Sequence, residues 1–246
     1  MRRELHALIL ALLGGTLLKL ALTGDYARYV KPGIRPYLLT ASIVVLLVAG
    51  VTLWLAVTRR TVPALPREED DDGHGHDHGH SRFDVAWLLV LPMLVLLLIA
   101  PPALGSYSAS RSGTALGAAQ TSDLPPLPDD DPVHLSVLDY ASRAVFDHGR
   151  SLQGRHLTLS GFILPGDGGT WYLTRMVITC CAADAQPIKV GLTGTVPAGL
   201  KANDWIKVTG SYVARQDKDP VNGEAIPYLT VNSSAPIPAP ALQYES

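Results

Sequence analysis

Apolar residues are gathered into three long runs in the first hundred positions, 5–23, 37–58 and 84–104, whereas the second half alternates apolar and polar residues in short stretches. A bilayer core about 30 Å thick takes about 20 helical residues, so each run predicts a transmembrane helix. The second run carries no charge and has a β-branched, leucine-rich centre at Ile43, Val44, Val45, Leu46, Leu47 and Val48. The first holds Lys19 near one end, where a long side chain reaches the headgroups, and Gly14 with Gly15, which lipid tolerates better than water does. The third contains Pro92, which predicts a kink, and ends against Pro101 and Pro102. Arg2 and Arg3 precede the first run, but no small-x-small cleavage site follows it, so it reads as a retained span rather than a removed signal peptide.

Basic residues in the short flanking segments set the orientation of such an anchor. Arg2, Arg3, Arg59, Arg60, Arg67 and Arg82 fall on one side, and Arg28, Lys31, Arg35 and Arg111 on the other. The excess predicts a cytoplasmic N-terminus. With three spans, the C-terminal half is then extracytoplasmic.

Past the third run, residues 105–132 are rich in Ser, Ala, Gly, Pro and Asp and read as a flexible linker. Ser136 with Asp139 forms a capping pair ahead of Val137, Leu138, Tyr140, Ala141, Ala144, Val145 and Phe146, whose spacing predicts one short amphipathic helix stopping near Gly149. Residues 156–164, 170–180, 188–192, 205–213 and 228–231 are β-prone and are separated by turn-rich segments. Five short strands suggest a small barrel, and Trp205-Ile206-Lys207-Val208-Thr209-Gly210 resembles a strand of an OB-type barrel. The predicted architecture is a three-helix α membrane anchor over residues 1–104, the linker, and a mainly-β, OB-like domain with one short helix over residues 133–246.

Composition agrees with an anchored chain and narrows its chemistry. Of 246 residues, 47% are hydrophobic and only 17% charged, below the roughly 25% usual for soluble domains. The formal charge of −2 offers no basic field for nucleic acid. Gly166-Asp167-Gly168-Gly169 lacks the Lys-Ser/Thr of a phosphate loop and reads as a hairpin turn. Asp217 and Asp219 lack the ligand order of a calcium loop, and no catalytic triad is visible, so nothing points to an enzyme.

Two places carry metal-ligand chemistry. Between the second and third runs, His74, His76, His78 and His80 alternate with Gly and Asp beside an acidic stretch, a pattern suited to weak, exchangeable capture of zinc, copper or nickel; a solvated connector is the plainer reading. The two cysteines of the chain are adjacent, Cys180 and Cys181, followed by Asp184. Neighbours in a straight strand face opposite ways, so both sulfurs reach one ion only if the chain turns there. Two sulfurs and a carboxylate would then suit a zinc-like ion, completed by His134, His148 or His156. A vicinal disulfide and two buried, reduced thiols are the other readings of the pair.

The order of spans, the inter-span segment with Tyr29-Val30-Lys31-Pro32, the Gly161-Phe162 strand, the Arg175 to Ala185 motif with its Cys-Cys-Ala-Ala-Asp-Ala core, and the closing Pro227-Tyr228 resemble the YcgQ-like family of bacterial permease subunits. The resemblance implies a multi-pass protein of the bacterial cell membrane, accompanied by a larger multi-span permease, with no established biochemical activity and a link to the handling of divalent metal, zinc or another transition metal. It does not extend to the histidine loop. On this footing the expected role is an accessory subunit of a permease handling a divalent metal ion. A membrane-tethered thiol or redox protein and a structural assembly factor are the rivals.

Overall fold

The computed structural model describes residues 2–60, 87–99, 102–116 and 124–246, and the chain divides into two compact units. The first unit holds α1 (Arg2–Thr23), α2 (Arg35–Arg60) and α3 (Trp87–Leu98). Arg35 Nε donates to the Ala21 carbonyl at 3.3 Å, and a Cβ on Gly14 would lie 2.8 Å from Leu46 Cγ. As α1 numbers fall along this seam α2 numbers rise, so the pair is antiparallel. Small residues bring the backbones close, the usual basis of helix association where lipid removes the hydrophobic drive. Leu5–Thr23 and Pro32–Thr58 are long and apolar enough to cross a membrane. Ile43, Val44, Leu47, Val51 and Trp54 project outward from α2, a surface that water would penalise.

The third expected span is only partly described. α3 has 12 residues with Pro92 inside it, about 18 Å of helix, while residues 84–86 and 100–101 of the predicted run lie outside the described residues. Lys19 Nζ of α1 donates to the Leu97 carbonyl near the C-terminal end of α3.

The second unit contains Ala27–Pro32 and the described residues from Pro102 onward. It comprises α4 (Ser106–Arg111), α5 (Val137–Phe146), and seven strands: β1 (Val133–His134), β2 (Leu157–Pro165), β3 (Trp171–Val177), β4 (Gln186–Gly194), β5 (Trp205–Lys218), β6 (Ala225–Pro236) and β7 (Tyr244–Glu245). Because β2 pairs with both β5 and β3, the order β2-β5-β6-β4-β3 closes on itself as a five-stranded barrel. Its pairings are antiparallel except β4 with β6. That is the mainly-β barrel expected. β1 and β7 are short parallel additions to β2 and β3.

Alternation fills the barrel: Leu157, Leu159, Leu173, Val190, Val208 and Leu229 are buried. The apolar side of α5, through Val137, Tyr140, Ala141 and Ala144, joins the same core. Tyr140 donates its hydroxyl to the Tyr228 carbonyl at 2.5 Å, which satisfies a buried polar group. Ser136 caps α5 by accepting from the Asp139 amide at 2.9 Å, as its spacing predicts. The first two amides of the helix, Val137 and Leu138, donate to the Glu245 carboxylate. β5 bends at a bulge between Thr209 and Gly210, where a Cβ on Gly210 would meet the Thr230 carbonyl oxygen at 2.2 Å, so only glycine fits.

Part of the expected linker is not a spacer. Ser106, Ala109, Thr114 and Leu116 are buried. Lys189 Nζ donates to the Ser112 carbonyl and the Thr114 amide to Asp219 Oδ2, each at 2.8 Å. Farther on, Arg143 donates to the Pro125 carbonyl at 2.7 Å. A composition that denies this segment a core of its own leaves its backbone free to be held by side chains of the barrel. Residues 117–123 lie outside the described residues.

Candidate metal centre

The strand predicted over 170–180 stops at Val177, before the cysteines. Cys180 and Cys181 lie instead in the connection to β4, which contains a single turn, Ala182–Asp184. Asp184 folds this loop back on itself: its carboxylate accepts the Thr179 amide at 3.1 Å and the Cys180 amide at 2.8 Å. Once the chain has left the sheet, the rule that neighbours face apart no longer applies. Cys180 Sγ donates to Cys181 Sγ at 3.5 Å, and the two form no disulfide. Cys180 Sγ, Cys181 Sγ and an Asp184 carboxylate oxygen all lie within 4.8 Å of one another, at an exposed to half-buried position.

Electrostatics favour a protonated resting state. Hydrogen bonding to Asp184, and then to Cys181, pushes the Cys180 thiol up to about 11. Amide donation from Cys180 holds the Asp184 carboxyl below its usual value. Around neutral pH these influences keep the Cys180 thiol in its protonated form. Reactive cysteines need the opposite, a lowered value, so this thiol is a poor nucleophile. Alkylation of Cys180 by iodoacetamide at pH 8 is expected to be slow and to rise toward pH 11. Asp184→Asn is expected to speed it roughly tenfold at pH 8, because the thiolate fraction grows faster than intrinsic nucleophilicity falls. Equal rates for the two proteins would refute the hydrogen bond.

The other side of the loop is held by the segment between α1 and α2. The Lys31 amide donates to the Cys180 carbonyl at 3.1 Å and the Ala182 amide to the Tyr29 carbonyl at 2.7 Å, making an antiparallel bridge of Val30 with Cys181. Tyr244 donates its hydroxyl to the Arg28 carbonyl at 3.2 Å and accepts from the Leu104 amide at 2.9 Å. Tyr29-Val30-Lys31-Pro32 stands out in the sequence, but nothing local announces a pairing across some 150 residues.

None of the candidate histidines joins this cluster among the described residues. His134 lies on β1, His148 takes a φ of 52° in the turn after α5, and His156 Nδ1 is 3.0 Å from Asp131. His74, His76, His78 and His80 lie outside the described residues. Asp217 and Asp219 are also spoken for: Asp219 meets Lys189 at 2.8 Å and Asp217, at the end of β5, accepts from the Tyr228 hydroxyl at 2.6 Å. Two sulfurs and a carboxylate thus converge, one donor short of the tetrahedral set zinc prefers.

Residues 5–115 match the DUF1980 N-terminal domain and residues 131–245 the DUF1980 C-terminal domain. The chain belongs to the DUF1980 family. No curated protein and no solved structure matches it. In this DUF1980 protein the first match runs on through α4, whose Ala109 packs with Phe162, Met176 and Ile178 of the barrel unit. The second match contains the whole Cys180, Cys181 and Asp184 loop.

Proposed function

We propose that this DUF1980 protein is a membrane-anchored accessory subunit of a multi-span permease in a bacterial cell membrane. Its barrel captures a divalent metal ion, zinc by preference, at Cys180, Cys181 and Asp184 on the extracytoplasmic side. The observation that carries the reading is the convergence of these donors on an accessible loop. Thiolates select soft or borderline ions, the carboxylate adds charge, and an unfilled fourth position suits an ion that is handed on rather than kept. Each bound thiolate first gives up a proton, so capture weakens as pH falls. The upward push on the Cys180 thiol speaks against the thiol-enzyme alternative.

Two observations, one from each unit, support a three-span anchor with the barrel opposite the N-terminus. Ala27–Pro32 joins α1 to α2 yet belongs to the barrel unit. If α1 and α2 cross, that segment and the barrel share one side, and α3 must cross to bring the chain there. Independently, the Lys19 to Leu97 hydrogen bond joins the C-terminal parts of α1 and α3, as two helices crossing in the same sense require. The basic residues make the N-terminal side cytoplasmic. Three helices enclose no path for an ion, which calls for a larger partner in the bilayer. The His74 to His80 loop then lies in the cytoplasm and buffers the same class of ion.

Reporter fusions test the topology: alkaline phosphatase joined after Ser246 is expected to be active and one joined after Arg60 inactive, and the reverse pattern refutes it. Purification from membranes with metal analysis tests the rest. About one zinc per chain together with a multi-span partner is expected. A partner without metal would leave a structural assembly role, and neither would defeat the proposal.

A further inference from the structure

We infer that ion capture at the cysteine loop is coupled to the α1–α2 helix pair through Ala27–Pro32, which acts as a strap across the ligand backbone. The inference rests on the metal reading of Cys180, Cys181 and Asp184. Cys181 lies between two hydrogen bonds to the strap, Lys31 N–H to the Cys180 carbonyl and Ala182 N–H to the Tyr29 carbonyl. The Cys180 amide is held by Asp184, and the Cys181 carbonyl accepts from the Asp184 amide at 3.1 Å. Four backbone groups around the sulfur pair are therefore engaged, two of them by the strap.

Binding an ion changes this geometry. Zinc–sulfur bonds near 2.3 Å and zinc–oxygen bonds near 2.0–2.2 Å put tetrahedral donors roughly 3.5–3.8 Å apart; the two sulfurs already stand 3.5 Å apart and all three donors lie within 4.8 Å of one another, so the adjustment falls on the Asp184 carboxylate. That same carboxylate accepts the Thr179 and Cys180 amides, so engaging an ion competes for the oxygens that hold the backbone next to the strap. The strap has little slack. Tyr29, Val30 and Lys31 stand between two tight turns, Asp25–Arg28 and Pro32–Ile34, the second leading directly into α2. Tyr244 holds the preceding carbonyl, that of Arg28. Linkage makes the effect reciprocal: whatever shifts α1 and α2, a partner in the bilayer included, alters ion affinity by the same factor as the ion alters the helices. Capture and release would thereby be timed by the membrane assembly.

The test uses the full chain in lipid nanodiscs with zinc as the probe. Zinc is expected to slow amide hydrogen exchange in residues 27–33 about fivefold or more, the lower end of typical coupling. Lys31→Pro removes the strap's donor without touching a ligand and is expected to weaken zinc binding by about the same factor, while Lys31→Ala keeps the donor and the affinity. If the wild-type protein binds zinc with exchange in 27–33 unchanged, the coupling is overturned and the metal site stands. If it binds no zinc, the metal site and the coupling fall together. The exchange measurement needs no variant, so it decides even if Lys31→Pro folds poorly.

Discussion

Protein carrying Cys180→Ala with Cys181→Ala is expected to retain under one-tenth of the wild-type zinc at its barrel site and to bind added zinc at least about a hundredfold more weakly, ~3 kcal/mol. The substitution removes two of the three converging donors and leaves a single carboxylate, a hard ligand with little claim on zinc. The fold should survive, because both residues lie outside the strands and Cys180 is exposed. Unchanged thermal unfolding of the barrel is therefore the required control. Asp184→Ala is expected to be nearly as damaging for a different reason: it deletes a donor and also the acceptor that folds the Thr179 and Cys180 amides around it. Loosely held metal remaining in the double variant is assigned to the other predicted site, and replacing His74, His76, His78 and His80 by alanine should remove it. Wild-type zinc content in the cysteine variant would place the ion elsewhere and end the metal reading of this loop.

What the sequence made legible follows the range of the interactions involved. α1 and α2 were visible because a span is written in consecutive residues, and α5 because its periodicity and Ser136 cap are local. Strand positions were visible from alternation, but not their lengths. β5 runs on to Lys218 through the exposed polar residues Arg215, Gln216 and Asp217, of which the last two pair with β6, and they bury nothing that a pattern could register. β1 and β7 are two residues each, too short for any period. The donors of the candidate centre were legible as residue types, whereas their convergence was not. It depends on Asp184 reaching back to amides four and five residues earlier and on a strap from the far end of the chain. His134, His148 and His156 stand apart from the centre for the same reason: a ligand type in the sequence carries no position in the fold.

The same limit hid a buried ion pair in the barrel unit that holds Ser112 and Thr114, part of the predicted linker, in place. Lys189 and Asp219 form an ion pair at 2.8 Å with side chains 4% and 0% exposed. Asp219 also accepts the Thr114 and Val221 amides, and Lys189 also donates to the Ser112 carbonyl. Breaking such a pair from one side leaves a buried charge without its partner, at about 3–5 kcal/mol. Asp219→Ala is thus expected to lower the barrel's melting temperature by roughly 10–25 °C, read as loss of β-sheet circular dichroism in detergent-solubilised full chain. Lys189→Met with Asp219→Asn, which removes both charges together, should recover a large part of that loss. A single variant that melts within a few degrees of wild type would show that the pair contributes little. Acid acts on the same contact. Burial works against ionisation of Asp219, but donation from Lys189 and from the Val221 and Thr114 amides outweighs it and holds the carboxyl below its usual value. The pair's stabilisation is therefore complete above the unfolded carboxylate range, near pH 4, and is lost as pH falls through the lowered folded value. Because Ser112 and Thr114 are held to the barrel by this contact, its loss should also loosen residues 112–116 and raise their hydrogen exchange before the strands open.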